Sequence, residues 1–168
     1  MRRALRVVGN VTLWVVAVLG VLSGVVWAAT AAGWIQPLVV ISGSMEPTIS
    51  TGDLLIDRPT DTDGVEVGDV VSLPSDLTGE IVTHRVVEID HHDDGGAEIR
   101  MQGDANPAED IAPYEVGDEV LHPVWQIDGA GYWVVRIQQP SVAIPLLVTV
   151  LALVGLSLIG PARKEDPA

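Results

Sequence analysis

Charge is absent from two long stretches of this chain. No Asp, Glu, Lys or Arg occurs between Arg6 and Glu46, and none between Arg136 and Arg163. The 168 residues are 48% hydrophobic and carry a formal net charge of −14, yet 21 of the 23 acidic side chains sit in the central block. An ordinary soluble domain spreads its charge along its whole length. This segregation points instead to a membrane protein with one polar block held between two apolar segments.

The first apolar segment runs over residues 11–32 and is rich in Val, Leu and Ala. Roughly 20 such residues cross a bilayer as a helix. Ala29-Thr30-Ala31 also reads as the small-residue cut site of a secretory leader. A leader's apolar region is usually about 7–15 residues, shorter than this run, so a retained anchor is the expectation. The second segment runs over residues 141–159, with Pro140 and Pro145 at its start and Gly160-Pro161 at its end. Proline disturbs a helix least in its first turn. Arg2, Arg3 and Arg6 precede the first segment, and Arg163 and Lys164 follow the second. The positive-inside rule then puts residues 1–10 and the tail 160–168 in the cytoplasm and residues 33–139 outside. Trp34, Tyr132 and Trp133 fall near the outer face, where amphipathic rings prefer to sit, although core packing explains each equally well.

The block 33–139 reads as β. Leu38–Ile41, Leu54–Ile56, Val70–Leu73, Ile81–Ile89 and Glu98–Met101 are short runs rich in β-branched residues. Gly52-Asp53, Gly68-Asp69, Gly103-Asp104 and Gly117-Asp118 punctuate them as turns. Asp90 to Gly96 reads as an exposed hairpin loop, and His122-Pro123 as a strand start or turn. About 100 residues of short strands suit a small barrel or folded sheet. The acidic balance argues against a nucleic-acid partner. With no cysteine, a disulfide framework, a thiolate metal site and a cysteine nucleophile are excluded.

A nucleophile must then be Ser, Thr or a carboxylate. Ser42-Gly43-Ser44-Met45-Glu46-Pro47-Thr48 follows an apolar strand, where Gly allows a tight turn and Pro47 fixes its exit. That would hold one hydroxyl rigidly just beyond the membrane; an ordinary Ser/Gly/Pro turn has the same composition. A serine needs a base, and Lys164, the sole lysine, lies beyond the second span. Four histidines remain. His91 and His92 lie among Asp90, Asp93 and Asp94, a solvated loop or at best a loose metal site. His84 sits mid-strand, where a rigid scaffold would aim its ring, and imidazole titrates close to neutral pH. A third group should orient that ring. Gly103-Asp104-Ala105-Asn106-Pro107-Ala108-Glu109-Asp110 offers two aspartates, and either could reach it.

In this order, and on a membrane-tethered β block, the three segments resemble type I signal peptidases of the endoplasmic-reticulum and archaeal type. Ser42 to Thr48 with Gly52-Asp53 resembles that family's nucleophile box, Thr83-His84-Arg85-Val86 its histidine box, and Gly103-Asp104-x-Asn106 with Asp110 its aspartate box. The resemblance covers about Val40 to Val120 plus the preceding anchor. Ala105 departs from it, since the family often has asparagine there, and so does the second span, which some members lack.

The resemblance implies a mainly β, signal peptidase-like catalytic domain, a folded sheet or barrel, with one N-terminal and one C-terminal transmembrane helix. It implies Ser44 as nucleophile, His84 as general base and acid, and Asp110 as the group that orients the ring. Asp104 would brace its loop, and Ser42 would add its hydroxyl to the oxyanion hole. The expected activity is a membrane-bound serine endopeptidase that removes signal peptides from exported preproteins after small residues. Neither metal nor organic cofactor is implied. The expected partners are signal peptides, the lipid bilayer and the secretion machinery. The expected location is the cell membrane, multi-pass, or the endoplasmic reticulum membrane in a eukaryote. Two alternatives stay open: a non-catalytic membrane-anchored β module, and a protease dedicated to one secreted substrate.

Overall fold

The computed structural model describes residues 2–92 and 95–158. Asp93, Asp94, Ile159 and the tail 160–168, with Arg163 and Lys164, lie outside the described residues. The chain divides into two units, Ala28–Val135 and the flanking segments Met1–Trp27 and Arg136–Ala168.

In the flanks, α1 (Arg2–Ala31) is an uninterrupted helix. Its Gly9–Ala31 portion has a mean hydropathy of 2.2 and none of it is buried. Nothing in the Val/Leu/Ala run breaks the helix until Gly33, whose φ of 74° is the left-handed conformation that closes a helix C-terminus. The Gly33 and Trp34 N–H groups donate back to Thr30 and Ala29 carbonyls. At the other end, α2 (Ala130–Gln138) and α3 (Pro140–Leu158) are separated at Gln139, because Pro140 cannot continue the hydrogen-bond ladder. Among the described residues, α1 alone is long and apolar enough to cross a membrane, while α2 with Pro140–Ala152 meets that test only as one bent pair.

The other unit is mainly β. Its strands are β1 (Gln36–Val39), β2 (Leu54–Asp61), β3 (Val70–Pro74), β4 (Ile81–His91), β5 (Ala97–Gln102), β6 (Tyr114–Val116) and β7 (Glu119–Ile127). They form one antiparallel sheet in the order β1-β2-β7-β3-β4-β5-β6. The edge strand β6 comes back toward β3, so the sheet is curled. Alternation along the strands puts Val71, Leu73, Val86, Ala97, Ile99, Met101 and Val120 into one core. A second cluster, Met45, Ile49 and Leu55, lies under the β1–β2 connection. Residues 130–138, expected to be part of the β block, are helical instead.

His122-Pro123 is neither a strand start nor a turn, because β7 runs through it. Proline is tolerated there because the β2–β7 register shifts at Ile56/Asp57, so Pro123 sits beside a bulge. Asp90 and His91, expected in an exposed hairpin loop, are still in β4 and pair with Glu98 and Ala97, and Gly96 is buried; the connection is narrower, with the His92 N–H bonded to Gly96 O at 3.0 Å.

Candidate active site

The β1–β2 connection is cinched at its neck. The Val40 N–H donates to Asp53 O at 2.9 Å and the Gly52 N–H to Val40 O at 2.8 Å. Inside it, a hydrogen-bonded turn closes from the Ile49 N–H to Met45 O at 2.9 Å, and the buried Met45 and Ile49 side chains anchor that turn on Leu55. Ser44 is thus held immediately before a fixed residue. Its carbonyl accepts the Ala105 N–H at 2.8 Å, joining this loop to the one after β5. Gly103 makes that approach possible: a Cβ there would stand 2.5 Å from Ser44 O.

His84 is on β4 opposite Val71 of β3, and is buried. Strand alternation turns its ring to the core face while Arg85 points the other way. The His84 Nε2 lies 2.9 Å from Ser44 Oγ, and its Nδ1 lies 2.8 Å from Asp110 Oδ2. A carboxylate offers only acceptors, so Nδ1 carries the proton and Nε2 is left to accept from the serine hydroxyl. Asp110 is tied to the sheet by its own N–H, which donates to Met101 O at 2.9 Å. Its Oδ2 also accepts the Tyr114 hydroxyl at 2.9 Å. Ser42 Oγ lies 3.3 Å from Ser44 Oγ.

Asp104 does not hydrogen-bond the imidazole. Arg85 takes it in a two-pronged contact, Nε to Oδ1 at 2.8 Å and the terminal nitrogen to Oδ2 at 2.7 Å, and Thr48 donates to Oδ2 at 2.7 Å. The Arg85 guanidinium holds the Asp104 carboxyl below the usual carboxylate range, against burial and with help from Thr48. Arg85 also donates to Gly68 O at 2.7 Å, so this pair links the nucleophile loop, β4 and the 103–110 loop. His91 and His92 are exposed at the far end of β4, and His122 is on β7. Among the described residues no cluster of three His, Asp or Glu is arranged to hold a metal.

A cleft of about 500 Å³ runs beside this arrangement. Leu38–Ser42, Met45 and Leu55 form one wall, and Glu80 with Ile81–His84 of β4 the other, with both Ser44 and His84 in its lining. Its walls are largely apolar with a few polar groups, the usual make-up of a binding cleft. The arrangement can pass a proton from a hydroxyl to an imidazole whose far nitrogen is oriented by a carboxylate.

Sequence reasoning missed Tyr114. It follows Asp110 by four residues, and a tyrosine beside a polar loop usually finds a partner for its hydroxyl. That signal was available but weak.

No family model matches the chain. Several known proteins named as signal peptidases are similar to it. It is 32% identical over 84 residues to the human signal peptidase complex catalytic subunit SEC11C, covering 50% of this chain and 44% of that protein. It is 42% identical over 81 residues to signal peptidase I W of Bacillus subtilis (strain 168), covering 48% and 40%. It is 40% identical over 78 residues to the signal peptidase complex catalytic subunit SEC11 of Eremothecium gossypii, covering 46% of each. The chain spans about half the length of the curated relatives it matches. These relatives support the type I signal peptidase family for the matched half of the chain.

Proposed function

We propose that the chain is a membrane-bound serine endopeptidase that removes signal peptides from exported preproteins. One observation carries the reading: His84 stands between Ser44 at 2.9 Å and Asp110 at 2.8 Å, on the wall of an apolar cleft. The similarity to proteins named signal peptidases supports the same substrate class.

In this reading Ser44 Oγ attacks the scissile carbonyl carbon while its proton passes to His84 Nε2. The negative charge that forms on the carbonyl oxygen is met by the Ser44 N–H and the Ser42 hydroxyl. His84 then gives its proton to the departing amine, and the C–N bond breaks to leave an ester on Ser44. Water attacks that ester, its proton passes to His84, and the serine is regenerated. Asp110 holds the ring tautomer and stabilises the imidazolium. An extended substrate can lie as a strand along the cleft beside Leu38–Ile41, with small side chains entering it.

α1 is proposed as a retained membrane anchor and the segment 141–159, most of it in α3, as the second span, with residues 33–139 outside and both ends inside. Tethering would confine the enzyme to the surface where its substrate emerges. The test is cleavage of a preprotein in membranes by the wild type beside Ser44→Ala. Processing by the wild type and none by Ser44→Ala is expected. Undiminished processing by Ser44→Ala would defeat the reading and favour a non-catalytic β module.

A further inference from the structure

Asp110 Oδ2 takes two hydrogen bonds at once, from His84 Nδ1 at 2.8 Å and from the Tyr114 hydroxyl at 2.9 Å. The two neighbours of that oxygen are held by the sheet. His84 is in the middle of β4; Tyr114 opens β6, its backbone paired with Ile99 and its ring packed against the main core. Asp110, in contrast, rides on a loop. A loop carboxylate with one donor can turn about its side-chain bonds; one gripped by two donors fixed in a sheet cannot turn without losing one of them. Burial first, and then the Asp110 carboxylate, push the Tyr114 phenol up to about 12, so it keeps its proton and donates throughout the working range.

We infer that Tyr114 is a positioning residue for the Ser44–His84–Asp110 site: its hydroxyl holds Asp110 Oδ2 where His84 Nδ1 uses it, and tempers how strongly that oxygen attracts the imidazole proton. The inference rests on the endopeptidase reading for its effect on rate, but not for its effect on His84. Removing the hydroxyl frees the carboxylate to turn, which lowers the fraction of molecules with a correctly aimed ring. It also leaves more negative charge on Oδ2, which favours the imidazolium. The other charged groups nearby are already engaged. Arg85 of β4 is taken by Asp104, whose charge also reaches His84, and Glu109 lies 3.9 Å from Arg100 of β5. On the remaining sides His84 and the phenol meet neutral hydroxyls, Ser44 and Ser75. Tyr114→Phe removes the contact with the neutral Ser75 hydroxyl but leaves the charged groups in place.

The test uses the full chain in detergent. Tyr114→Phe should lower kcat roughly 10-fold with KM unchanged, the size expected for a lost hydrogen bond to a charged group. The acid limb of kcat/KM should move to higher pH. In an Asp110→Asn background the same change should alter the rate less than about twofold, because Tyr114 acts through Asp110. Replacing Tyr114 by 3-fluorotyrosine, which keeps the ring and donates more strongly, should move the limb to lower pH. Equal losses from Tyr114→Phe in both backgrounds, or an acid limb that neither replacement moves, would overturn the inference. The His84 ring is also titrated by NMR in inactive Ser44→Ala protein, with and without Tyr114→Phe. An upward shift of that titration upholds the inference, and an unchanged one overturns it. If the wild type cleaves no preprotein, the endopeptidase reading fails while this titration still decides the role of Tyr114.

Discussion

Two aspartates six positions apart have different surroundings. Asp110 faces His84; Asp104 faces Arg85, the next residue along β4 and therefore on its opposite face. Asp110→Asn keeps the shape but offers His84 the wrong tautomer partner, and turnover near neutral pH should fall by on the order of 10⁴. Asp104→Asn should retain most activity and lose thermal stability. The folded-state carboxyl of Asp104 is held below the ordinary aspartate value of 3.8 by Arg85, so its stabilising contribution is present above that pH and fades as pH falls through the lowered value. The stability gap between wild type and Asp104→Asn should therefore be full at pH 6 and narrow below about pH 3.8. A catalytically dead but stable Asp104→Asn protein would reverse the two roles. His84→Lys should not restore turnover at neutral pH. A lysine base must be neutral to act, and the carboxylate 2.8 Å from the native ring nitrogen favours the charged ammonium. Robust cleavage by this variant would mean that the carboxylate does not govern the base.

At the level of single elements, β2 carries an anomaly. Asp57 is fully buried and neither carboxylate oxygen has a hydrogen-bond partner. Burial raises its pKa, and the neighbouring Ser72, whose hydroxyl pairs with Thr83, and the more distant His122 offset this only in part. A carboxyl with a raised folded-state value contributes stability that is fully present below its unfolded value and lost as pH rises through the folded one. Asp57→Leu, beside Leu55 on the same face, should therefore raise the melting temperature, and by more at pH 7 than at pH 4. The gain at pH 7 should be on the order of 1–3 kcal/mol, the usual penalty of an unsatisfied buried polar group. A gain independent of pH would show that charge is not its source. The loop after β5 offers a complementary test. Gly103→Ala would place a Cβ 2.5 Å from Ser44 O, so the nucleophile loop must shift. A displacement near 1 Å is enough to lower turnover by about 100-fold. Preprotein cleavage by Gly103→Ala should fall by about that factor while the far-ultraviolet circular dichroism stays that of the wild type.

The whole molecule joins a curled sheet to long apolar helices, and the proposed topology makes a prediction at that scale. The native chain has no cysteine, so single introduced cysteines report their side cleanly. A cysteine at Asp61, exposed at the end of β2, should react with an impermeant reagent in intact cells. One at Ala168 should not react until the membrane is opened. Labelling at Ala168 in intact cells would remove the second span and leave α1 as the anchor.

Much of this protein is decided by local chemistry, which a sequence displays. The uncharged run that becomes α1, the β-branched runs of β2 to β5 and the Ser42–Thr48 turn each depend on near neighbours along the chain. Period-two alternation already puts His84 and Arg85 on opposite faces of one strand. Other features arise only when distant segments meet. Ser44 and His84 are 40 residues apart, and His84 and Asp110 are 26 apart. Either aspartate in the 103–110 loop could have reached the ring; strand register and the Arg85 clamp decide which one does. Pro123 is accommodated within β7 where that strand carries the extra, unpaired Val124 opposite Ile56/Asp57 of β2. The burial of Asp57 and the grip of Tyr114 on Asp110 also depend on which strands become neighbours. Hydrophobic length and periodicity are properties of a segment, whereas the partner of a polar atom is a property of the folded sheet.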